Sequence, residues 1–411
     1  MSDENTISFA SPGIRKCPFQ AYDRLRNEAP VYRDPLTGVY VLTRYADIRE
    51  ALLNVEQLSN RSGVITTRQS ANADKIRRMF EEKGWVQLDM LGTDDPPSHK
   101  MYRALVDKAF SAVRVDKLEG HIDRLVNELI DGFIDDGEVE FVSRFSAQLS
   151  TLVMADQLGI SRADFGRFKR WTDVTVELMS PAVSPERELE ATPEIIALQN
   201  YFAHAIEKAR SAPADDLVSK LVHTVVDGRS LTVQEMVIIM QMLLVAGSET
   251  TASALSHGVR LMAENPEVAS KMRQDPAAIM DFMDEALRLM SPVQALFRKA
   301  KTDLEIAGVK IPKGAVVQVQ YGAANRDPEM FPNPERFDIG RSNANKHLAF
   351  GAGIHYCVGH QLSRKELLVT FRNVLRRMKN LRPARGADSV IMADSYTTFG
   401  LAELHLAFDK A

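Results

Sequence analysis

The sequence predicts one large domain that is mainly α-helical and carries small β-sheets. Three observations lead to this fold class. Apolar residues recur at spacings of three and four along most of the chain, strand-like alternation is short and confined to the two ends, and no repeat or linker divides the 411 residues. We therefore expect an N-terminal tail over residues 1–18 and a single domain over residues 19–411.

The clearest helical periodicity is expected to give four amphipathic helices, over residues 118–133, 165–179, 195–209 and 279–289. A fifth and longer helix should begin after Thr232, whose hydroxyl and the Glu235 carboxylate form a capping box, and should run to Asn265, before Pro266. It would be about 50 Å long. Its first half is apolar almost all round, so it must cross the core.

Short strands are expected at residues 39–42, at 305–306 paired with 309–311 as a hairpin, at 316–319 beside that hairpin, and at 402–408. Two further segments, residues 62–97 and 180–193, are long and mixed or rich in proline and charge. Such segments in a compact protein are usually functional or disordered, so we predict that they are mobile covers over a site.

The composition is typical of a soluble globular protein, with 45% hydrophobic and 26% charged residues. The net charge of −4 offers no concentrated basic face for nucleic acid. Residues 1–6 lack the pattern of a signal peptide. The longest apolar run, residues 236–247, is broken by Gln241 and is shorter than the ~20 residues of a membrane helix. Two cysteines cannot form a disulfide framework. We expect a cytoplasmic monomer without a membrane anchor.

Cys357 lies in the run Phe350 to Gly359 and precedes apolar residues at helical spacing. A helix N-terminus favours negative charge, which suits a thiolate, and only a thiolate binds metal. Gly351 and Gly353 permit tight turns and a close approach of the backbone to a flat ligand. A lone cysteine is more often a small buried apolar residue, but this glycine spacing favours a metal ligand.

Two other motifs combine residues that carry chemistry. Glu285 and Arg288, at i and i+3 on a helix, would ordinarily be a surface ion pair. Glu249 and Thr250 lie in the long apolar helix after Gly247. Thr250 should hydrogen-bond back to the Ala246 carbonyl and bend the helix, and Gly247 should leave a groove beside it. A kink with a paired carboxylate is the alternative interpretation.

The run Phe-x-x-Gly-x-x-x-Cys-x-Gly resembles the haem-binding loop of the cytochrome P-450 superfamily. The resemblance implies a helical triangular prism with haem b inside. It makes Cys357 the axial ligand of the iron, with Ala246, Phe350, Gly351 and Gly359 also at the haem. The cations that it places on the haem propionates are His99, Arg103, Arg298 and His355.

The other motifs resemble those of the same family, and their order along the chain is the family's order. The resemblance implies that Glu285, Arg288 and the later Arg336 form a buried structural charge network. It also implies that Thr250 holds water and hydrogen-bonds oxygen at the haem, while Glu249 relays protons.

The resemblance further implies a monooxygenase that inserts one atom of O2 into an organic substrate. NAD(P)H would supply the electrons indirectly, through a ferredoxin and its reductase. Basic residues on the cysteine side could bind that acidic partner, namely Lys100, Arg103, Lys346 and Arg364.

A neutral hydrophobic substrate, such as a terpenoid, aromatic or steroid-like compound, is expected because the predicted pocket is mostly apolar. Its residues are Trp85, Leu88, Met90, Leu178, Met179, Met242, Leu243, Val245, Ala246, Val293, Gln294, Ala295 and Phe399. Gln294 would either bind a polar group of the substrate or be satisfied by the backbone. The alternatives are a fatty-acid hydroxylase that uses Arg61 or Arg68, a peroxide-dependent hydroxylase, and a non-enzymatic haem sensor.

Overall fold

The computed structural model describes residues 7–61, 71–178, 183–214, 216–226 and 228–411. These residues form sixteen α-helices and thirteen β-strands. The helices are α1 (Pro12–Lys16), α2 (Phe19–Glu28), α3 (Tyr45–Leu53), α4 (Ala73–Lys83), α5 (Ser98–Ala109), α6 (Ala112–Lys117), α7 (Glu119–Asp131), α8 (Ala147–Gln157), α9 (Phe165–Leu178), α10 (Pro185–Ser211), α11 (Leu217–His223), α12 (Val233–Glu264), α13 (Pro266–Gln274), α14 (Ala278–Leu289), α15 (Tyr321–Ala324) and α16 (His360–Arg377). The strands are β1 (Val31–Arg33), β2 (Tyr40–Leu42), β3 (Leu58–Ser59), β4 (Glu138–Glu140), β5 (Val225–Val226), β6 (Arg229–Ser230), β7 (Ala295–Ala300), β8 (Leu304–Ile306), β9 (Val309–Ile311), β10 (Val316–Gln320), β11 (Met378–Pro383), β12 (Val390–Met392) and β13 (Leu401–Lys410).

The predicted core helix is α12, and its capping box is confirmed. The Glu235 backbone N–H donates to Thr232 Oγ1 across 3.2 Å, and the Thr232 N–H donates to Glu235 Oε2 across 2.8 Å. Tyr102 and Arg229 also bind the Glu235 carboxylate, which satisfies this buried group. The helix ends where Pro266 begins α13, because proline opens a helix readily but cannot continue one.

Helix α12 packs against α8, α10, α14 and α16, and together they enclose the main hydrophobic core. Among the described residues, α12 is the one helix that is long and apolar enough to cross a membrane. Most of its apolar stretch is buried inside the protein. The mainly α fold class is confirmed. The predicted helices at 118–133, 165–179, 195–209 and 279–289 correspond to α7, α9, part of α10 and α14.

The largest sheet has the strand order β1-β2-β10-β7-β3, and a second sheet joins β11, β13 and β12, with β4 also pairing β13. The predicted hairpin is confirmed as β8 and β9, which form a sheet of their own. The strand expected beside that hairpin, β10, instead pairs β7 on one side and β2 on the other. That placement could not be predicted from proximity in the chain, because β2 is remote in sequence.

The second predicted cover differs from expectation. It was expected to be irregular over 180–193, but α10 already begins at Pro185, where Ser184 Oγ accepts a hydrogen bond from the Arg187 N–H. Pro193 lies inside this helix. Proline is favourable at the first position of a helix, so α10 begins at Pro185, and the helix continues through the later proline. Of the first cover, residues 62–70 lie outside the described residues, and α4 follows them.

Candidate active site

Cys357 ends a tight loop that leads into α16. Its backbone N–H donates to the Phe350 carbonyl across 2.9 Å and closes the loop. Gly351 and Gly353 have φ angles of 72° and 70°, in the left-handed region that glycine adopts without strain. A Cβ on Gly353 would also lie 2.9 Å from the Leu52 carbonyl oxygen. The glycine turns and the helix start that the sequence predicted around Cys357 are both present.

The Cys357 side chain is half-buried, and burial raises the pKa of its thiol. The backbone amides of Gly359 and His360 and the charge of Arg103 oppose this shift without reversing it. The direction differs from the lowered pKa that the sequence led us to expect at a helix N-terminus. A thiolate here therefore needs a further positive partner, and a metal ion is one.

Helix α12 presents an open stripe that runs beside buried positions. Met242, Ala246 and Thr250 follow at i, i+4 and i+8, and each is at least partly exposed, whereas Leu244 and Ser248 are buried. The Thr250 hydroxyl donates to the Ala246 carbonyl across 2.7 Å, as predicted. The stripe therefore combines an apolar surface with one hydroxyl.

Gly247 does not leave the groove that the sequence predicted. A Cβ at this position would lie 2.6 Å from Met154 Sδ and 2.9 Å from its Cγ. The missing side chain therefore admits Met154 of α8, which is itself buried. The groove prediction is wrong at Gly247 because the neighbouring helix fills that space, and the open stripe runs past Ala246 instead.

Glu249 is half-buried one residue before Thr250. Its Oε1 accepts a hydrogen bond from the Thr398 hydroxyl across 2.8 Å. Burial raises the pKa of the Glu249 carboxyl, and the Thr398 hydrogen bond partly opposes this. A carboxyl with a raised pKa holds a proton more readily than an ordinary carboxyl does, which suits a group that passes a proton to a neighbouring alcohol.

A cluster of basic side chains lies beside the cysteine loop. The rings of His99 and His355 are 4.3 Å apart, and neither His99 Nε2 nor His355 Nδ1 has a hydrogen-bond partner. Arg298 is buried and donates to the Phe297 carbonyl across 2.8 Å. Arg103, in contrast, is bonded to the Tyr356 carbonyl and ties α5 to the loop.

The pKa values of both histidines are lowered, so the nearby carboxylates do not offset burial and the neighbouring cations. Burial and a neighbouring arginine lower the pKa of His99, and the carboxylates of Asp94 and Asp95 do not reverse this. Burial, and then the charges of His99 and Arg298, lower the pKa of His355 to about 3. A negatively charged ligand between these groups would remove the mutual repulsion.

The charge network behind this region is real, but one of its predicted members is wrong. Glu285 and Arg288 are fully buried and paired, with Arg288 Nε 2.7 Å from Glu285 Oε2. The third member is Arg341, whose Nε lies 3.1 Å from the same oxygen. The predicted Arg336 is exposed and contributes only its backbone carbonyl, which accepts from Arg341 across 3.1 Å.

The fold and these motifs agree with three comparisons. The family model described as Cytochrome P450 matches residues 139–387. The 6-deoxyerythronolide B hydroxylase of Saccharopolyspora erythraea is 32% identical over 395 residues, covering 95% of this chain and 96% of that protein. The steroid C26-monooxygenase of Mycobacterium tuberculosis strain H37Rv is 34% identical over 389 residues, covering 94% and 93%.

This chain is a cytochrome P-450. The crystal structure of CYP109E1 from Bacillus megaterium in complex with testosterone aligns with a TM-score of 0.82 at 31% identity, covering 95% of this chain and 99% of that chain. The family membership makes the chain a haem-dependent monooxygenase, and the fold and enzyme class predicted from the sequence are confirmed.

The residues present fit a haem. A haem needs one ligand to iron, room for a flat ring and cations for two carboxylates. The loop supplies the Cys357 thiol, and the basic cluster supplies the unpartnered ring nitrogens of His99 and His355 together with buried Arg298. Arginine binds carboxylates through two parallel hydrogen bonds, and histidine N–H groups also donate to them. The two haem carboxylates would therefore provide anions for this basic cluster.

The predicted pocket residues fall into different environments. Met90, Leu243, Ala295 and Phe399 are buried, whereas Trp85, Leu88, Leu178, Met242, Val245, Val293 and Ala246 are partly buried or exposed. Met179 lies outside the described residues. The members with open surface next to the Glu249–Thr250 pair are those on α12.

Both the oxygen and the nitrogen of the Gln294 side-chain amide form hydrogen bonds within the protein. Its Oε1 accepts from the Tyr22 hydroxyl across 2.7 Å, and its Nε2 donates to the Ser291 carbonyl across 2.6 Å. Its Oε1 also lies against Gly322, where a Cβ would be only 2.0 Å away. Of the two interpretations left open by the sequence, the satisfied amide is the one observed.

Proposed function

We propose that this cytochrome P-450 hydroxylates a neutral hydrophobic small molecule with electrons from a separate ferredoxin system. The observation that carries the proposal is the open stripe of α12, where Met242 and Ala246 lie beside Thr250. Apolar walls with a few polar groups are typical of sites for hydrophobic ligands. The names of two relatives, which refer to 6-deoxyerythronolide B and to a steroid, support a substrate of this class.

Cys357 would ligate the haem iron, while His99, His355 and Arg298 would bind the two propionates and Arg103 would brace the loop. When bound, the haem lets one atom of O2 enter the substrate while the other leaves as water with two electrons and two protons. The further residues that would contact the ring are Phe350, Gly351, Gly359 and Ala246.

Thr250 and Glu249 would control protons on the open stripe. The Thr250 hydroxyl gives its hydrogen to the Ala246 carbonyl, so its oxygen lone pairs can accept a hydrogen bond from a water. Glu249 is adjacent, and its raised pKa lets the carboxyl carry a proton. The pair can therefore hold a water and resupply the proton that it gives up.

Turnover with a defined electron source tests the proposal. Product should form with ferredoxin, ferredoxin reductase and NADH, and Glu249→Gln should lower the product formed per NADH by about tenfold or more. Product with hydrogen peroxide alone, unaffected by Glu249→Gln, would instead establish a peroxide-dependent hydroxylase. Haem binding with no oxidation of any compound under either condition would favour the sensor.

A spectral titration tests the substrate class. Compounds that displace water from the haem change its spin state, so steroids, macrolides and terpenoids should give this change, while fatty acids should not. Arg61, one of two arginines considered for a fatty-acid carboxylate, is bonded to Asp94 at 2.9 and 2.7 Å. The other, Arg68, lies outside the described residues. A response to fatty acids alone would contradict the proposal.

We propose that the ferredoxin binds over the cysteine loop and that the protein works as a cytoplasmic monomer. Ile354 and Tyr356 of this loop are exposed apolar residues, at 38% and 37%. Lys100 and Lys346 are exposed on adjoining elements. An apolar centre with a basic rim suits an acidic protein partner. Arg364, also predicted here, pairs with Asp284, so its charge is already partly neutralised.

Charge reversal tests this surface. Lys346→Glu and Lys100→Glu should slow electron transfer from ferredoxin and weaken its dependence on salt, since rim charges act mainly on association rate. Lys75→Glu is the matched control, because Lys75 is equally exposed but lies on α4, which packs against α10. Equal rates in all three variants would show that the partner binds elsewhere.

A further inference from the structure

The carboxylate of Glu249 has a protein partner that the Glu–Thr motif does not contain. The Thr398 hydroxyl lies 2.8 Å from Glu249 Oε1, and the Ser395 hydroxyl lies 2.7 Å from Thr398 Oγ1. A threonine hydroxyl has a single hydrogen. Because that hydrogen goes to the carboxylate, Ser395 donates to Thr398. The three groups therefore form one directed chain of hydrogen bonds that ends on Glu249.

The segment that carries this chain, residues 395–399, is held firmly against α12. The Phe399 carbonyl accepts from Ser253 Oγ across 2.7 Å and lies 3.0 Å from His257 Nε2. The His257 ring also stacks on the Phe399 ring at 5.1 Å with an interplanar angle of 3°. The Phe399 N–H donates to the Pro292 carbonyl across 2.8 Å. Thr398 is therefore fixed in place beside Glu249.

The outer end of the chain lies close to solvent. Ser395 is half-buried, and Asp394 before it has a side chain that is 45% exposed and bonded to Arg15. The Ser395 oxygen also accepts the Thr398 backbone N–H across 3.2 Å, which keeps the two hydroxyls aligned. A proton from water can therefore reach Ser395 without any rearrangement of the core.

We propose that Ser395 and Thr398 form a proton-uptake chain that reprotonates Glu249. The inference rests on the proposed role of Glu249 and deepens it. In each transfer the Thr398 proton moves to the Glu249 carboxylate as the Ser395 proton moves to Thr398 Oγ1, and Ser395 takes a proton from solvent water. Both hydroxyls are restored when their hydrogens rotate back, so the net result is one proton moved from solvent to Glu249.

Glu249 also borders a cavity of about 380 Å³ between α8, α9 and α12, which offers a competing path through water. Among its described lining residues, α9 alone brings charges other than Glu249, namely Lys169, Asp173 and Glu177. Lys169 is paired with Asp173 at 2.7 Å, and Glu177 is paired with Arg187 at 2.7 Å. These groups are already neutralised by partners, whereas Thr398 touches the carboxylate directly.

Thr398→Val tests the chain, because valine keeps the shape and removes the hydroxyl. In the substrate-free ferric protein, infrared spectroscopy of the Glu249 carboxyl should report a higher pKa than in the wild type, since a hydrogen bond to the carboxylate is lost. During turnover the product formed per NADH should fall about tenfold or more, and the solvent isotope effect should change. Thr398→Ser should restore both properties.

Ser395→Ala should lower the product yield per NADH while moving the Glu249 pKa less, because Thr398 stays in contact. Thr397→Val is the matched control, since the Thr397 hydroxyl makes no hydrogen bond to the described residues, and it should change neither readout. A normal yield in Thr398→Val or in Ser395→Ala would overturn the chain and leave the cavity as the path. A normal yield in Glu249→Gln would instead show that the proposed role of Glu249 is wrong.

Discussion

Two buried charge clusters in this protein differ in whether the protein itself satisfies them. In the network of Glu285, Arg288 and Arg341, every charge has an opposite partner or a carbonyl within hydrogen-bond distance. In the cluster of His99 and His355, together with Arg298, ring nitrogens have no partner and burial depresses the histidine pKa values.

The comparison separates a structural role from a binding role without reference to any motif. A satisfied buried network is complete when the chain folds, and it fixes the loop after residue 331 against α14. An unsatisfied buried cluster is costly unless a ligand of opposite charge completes it. The fold keeps both clusters close to the cysteine loop, but only the second cluster needs the anions that the haem carboxylates would supply.

The largest effect is expected from breaking the satisfied network. Arg288→Met would leave Glu285 buried with Arg341 as its single cation, so unfolding should require about 3–5 kcal/mol less free energy. Urea denaturation at pH 7 measures this, both with and without haem. A loss below about 1 kcal/mol would mean that the network is not a structural unit.

The unsatisfied cluster should respond in the opposite way. Arg298→Leu should leave the haem-free protein as stable as the wild type or more stable, because it removes a buried cation without an anion. Haem affinity should fall about 10–100-fold, as expected for one charged hydrogen bond of about 1.5–3 kcal/mol. Urea denaturation of the haem-free protein and haem transfer to an excess of an acceptor protein measure the two effects. A less stable haem-free protein with unchanged haem affinity would contradict the comparison.

His257 sharpens the comparison as a buried histidine outside the basic cluster. Its Nε2 lies 3.0 Å from the Phe399 carbonyl, and its Nδ1 has no hydrogen-bond partner among the described residues. Burial lowers its pKa to about 3. The unfolded chain binds a proton there near pH 6.5 while the folded chain does not, so stability is unaffected above pH 6.5 and falls as the pH drops from 6.5 towards 3. The loss attributable to this group should be about 2 kcal/mol at pH 5.

Urea midpoints at pH 7 and pH 5 measure this loss, which should disappear in His257→Asn. His204→Gln is the control, because His204 is exposed on α10. If the pH dependence of His257→Asn equals that of the wild type, His257 is not the group responsible.

The smallest effect is expected at Arg336. Its side chain is exposed, and the network uses only its backbone carbonyl, which Arg336→Ala preserves. The free energy of unfolding, measured by urea denaturation, should therefore change by less than about 0.5 kcal/mol, whereas Arg341→Ala should lower it several times more. A large loss of unfolding free energy in Arg336→Ala would instead support the network of Glu285, Arg288 and Arg336 that the sequence predicted.

Local patterns made much of the molecule predictable. The capping box at Thr232 located the start of α12, and the apolar periodicity after it located the core helix. The glycines before Cys357 marked turns whose positive φ angles are observed at Gly351 and Gly353. In each case the physical cause lies within a few residues of the pattern, so no knowledge of the tertiary structure was needed.

The errors concern contacts between residues that are distant in sequence. The sequence indicated Arg336 as the partner of Glu285. The turn at Asn333, with φ of 51°, instead brings three backbone carbonyls around Arg341 and orients it towards the pair. Thr398 gave no signal as the partner of Glu249, because an ordinary threonine far along the chain carries no motif. The missing side chain at Gly247 predicted a groove, but Met154 fills that space.

The spectrum of the reduced protein with carbon monoxide tests the central claim most directly. The claim is that Cys357 supplies the thiolate to haem and that the cluster of His99, His355 and Arg298 holds the ring. Wild-type protein should show the thiolate-type band of the family, and Cys357→Ser should bind haem through the same cluster but lose that band. A Cys357→Ser protein that keeps the thiolate-type band would contradict the account.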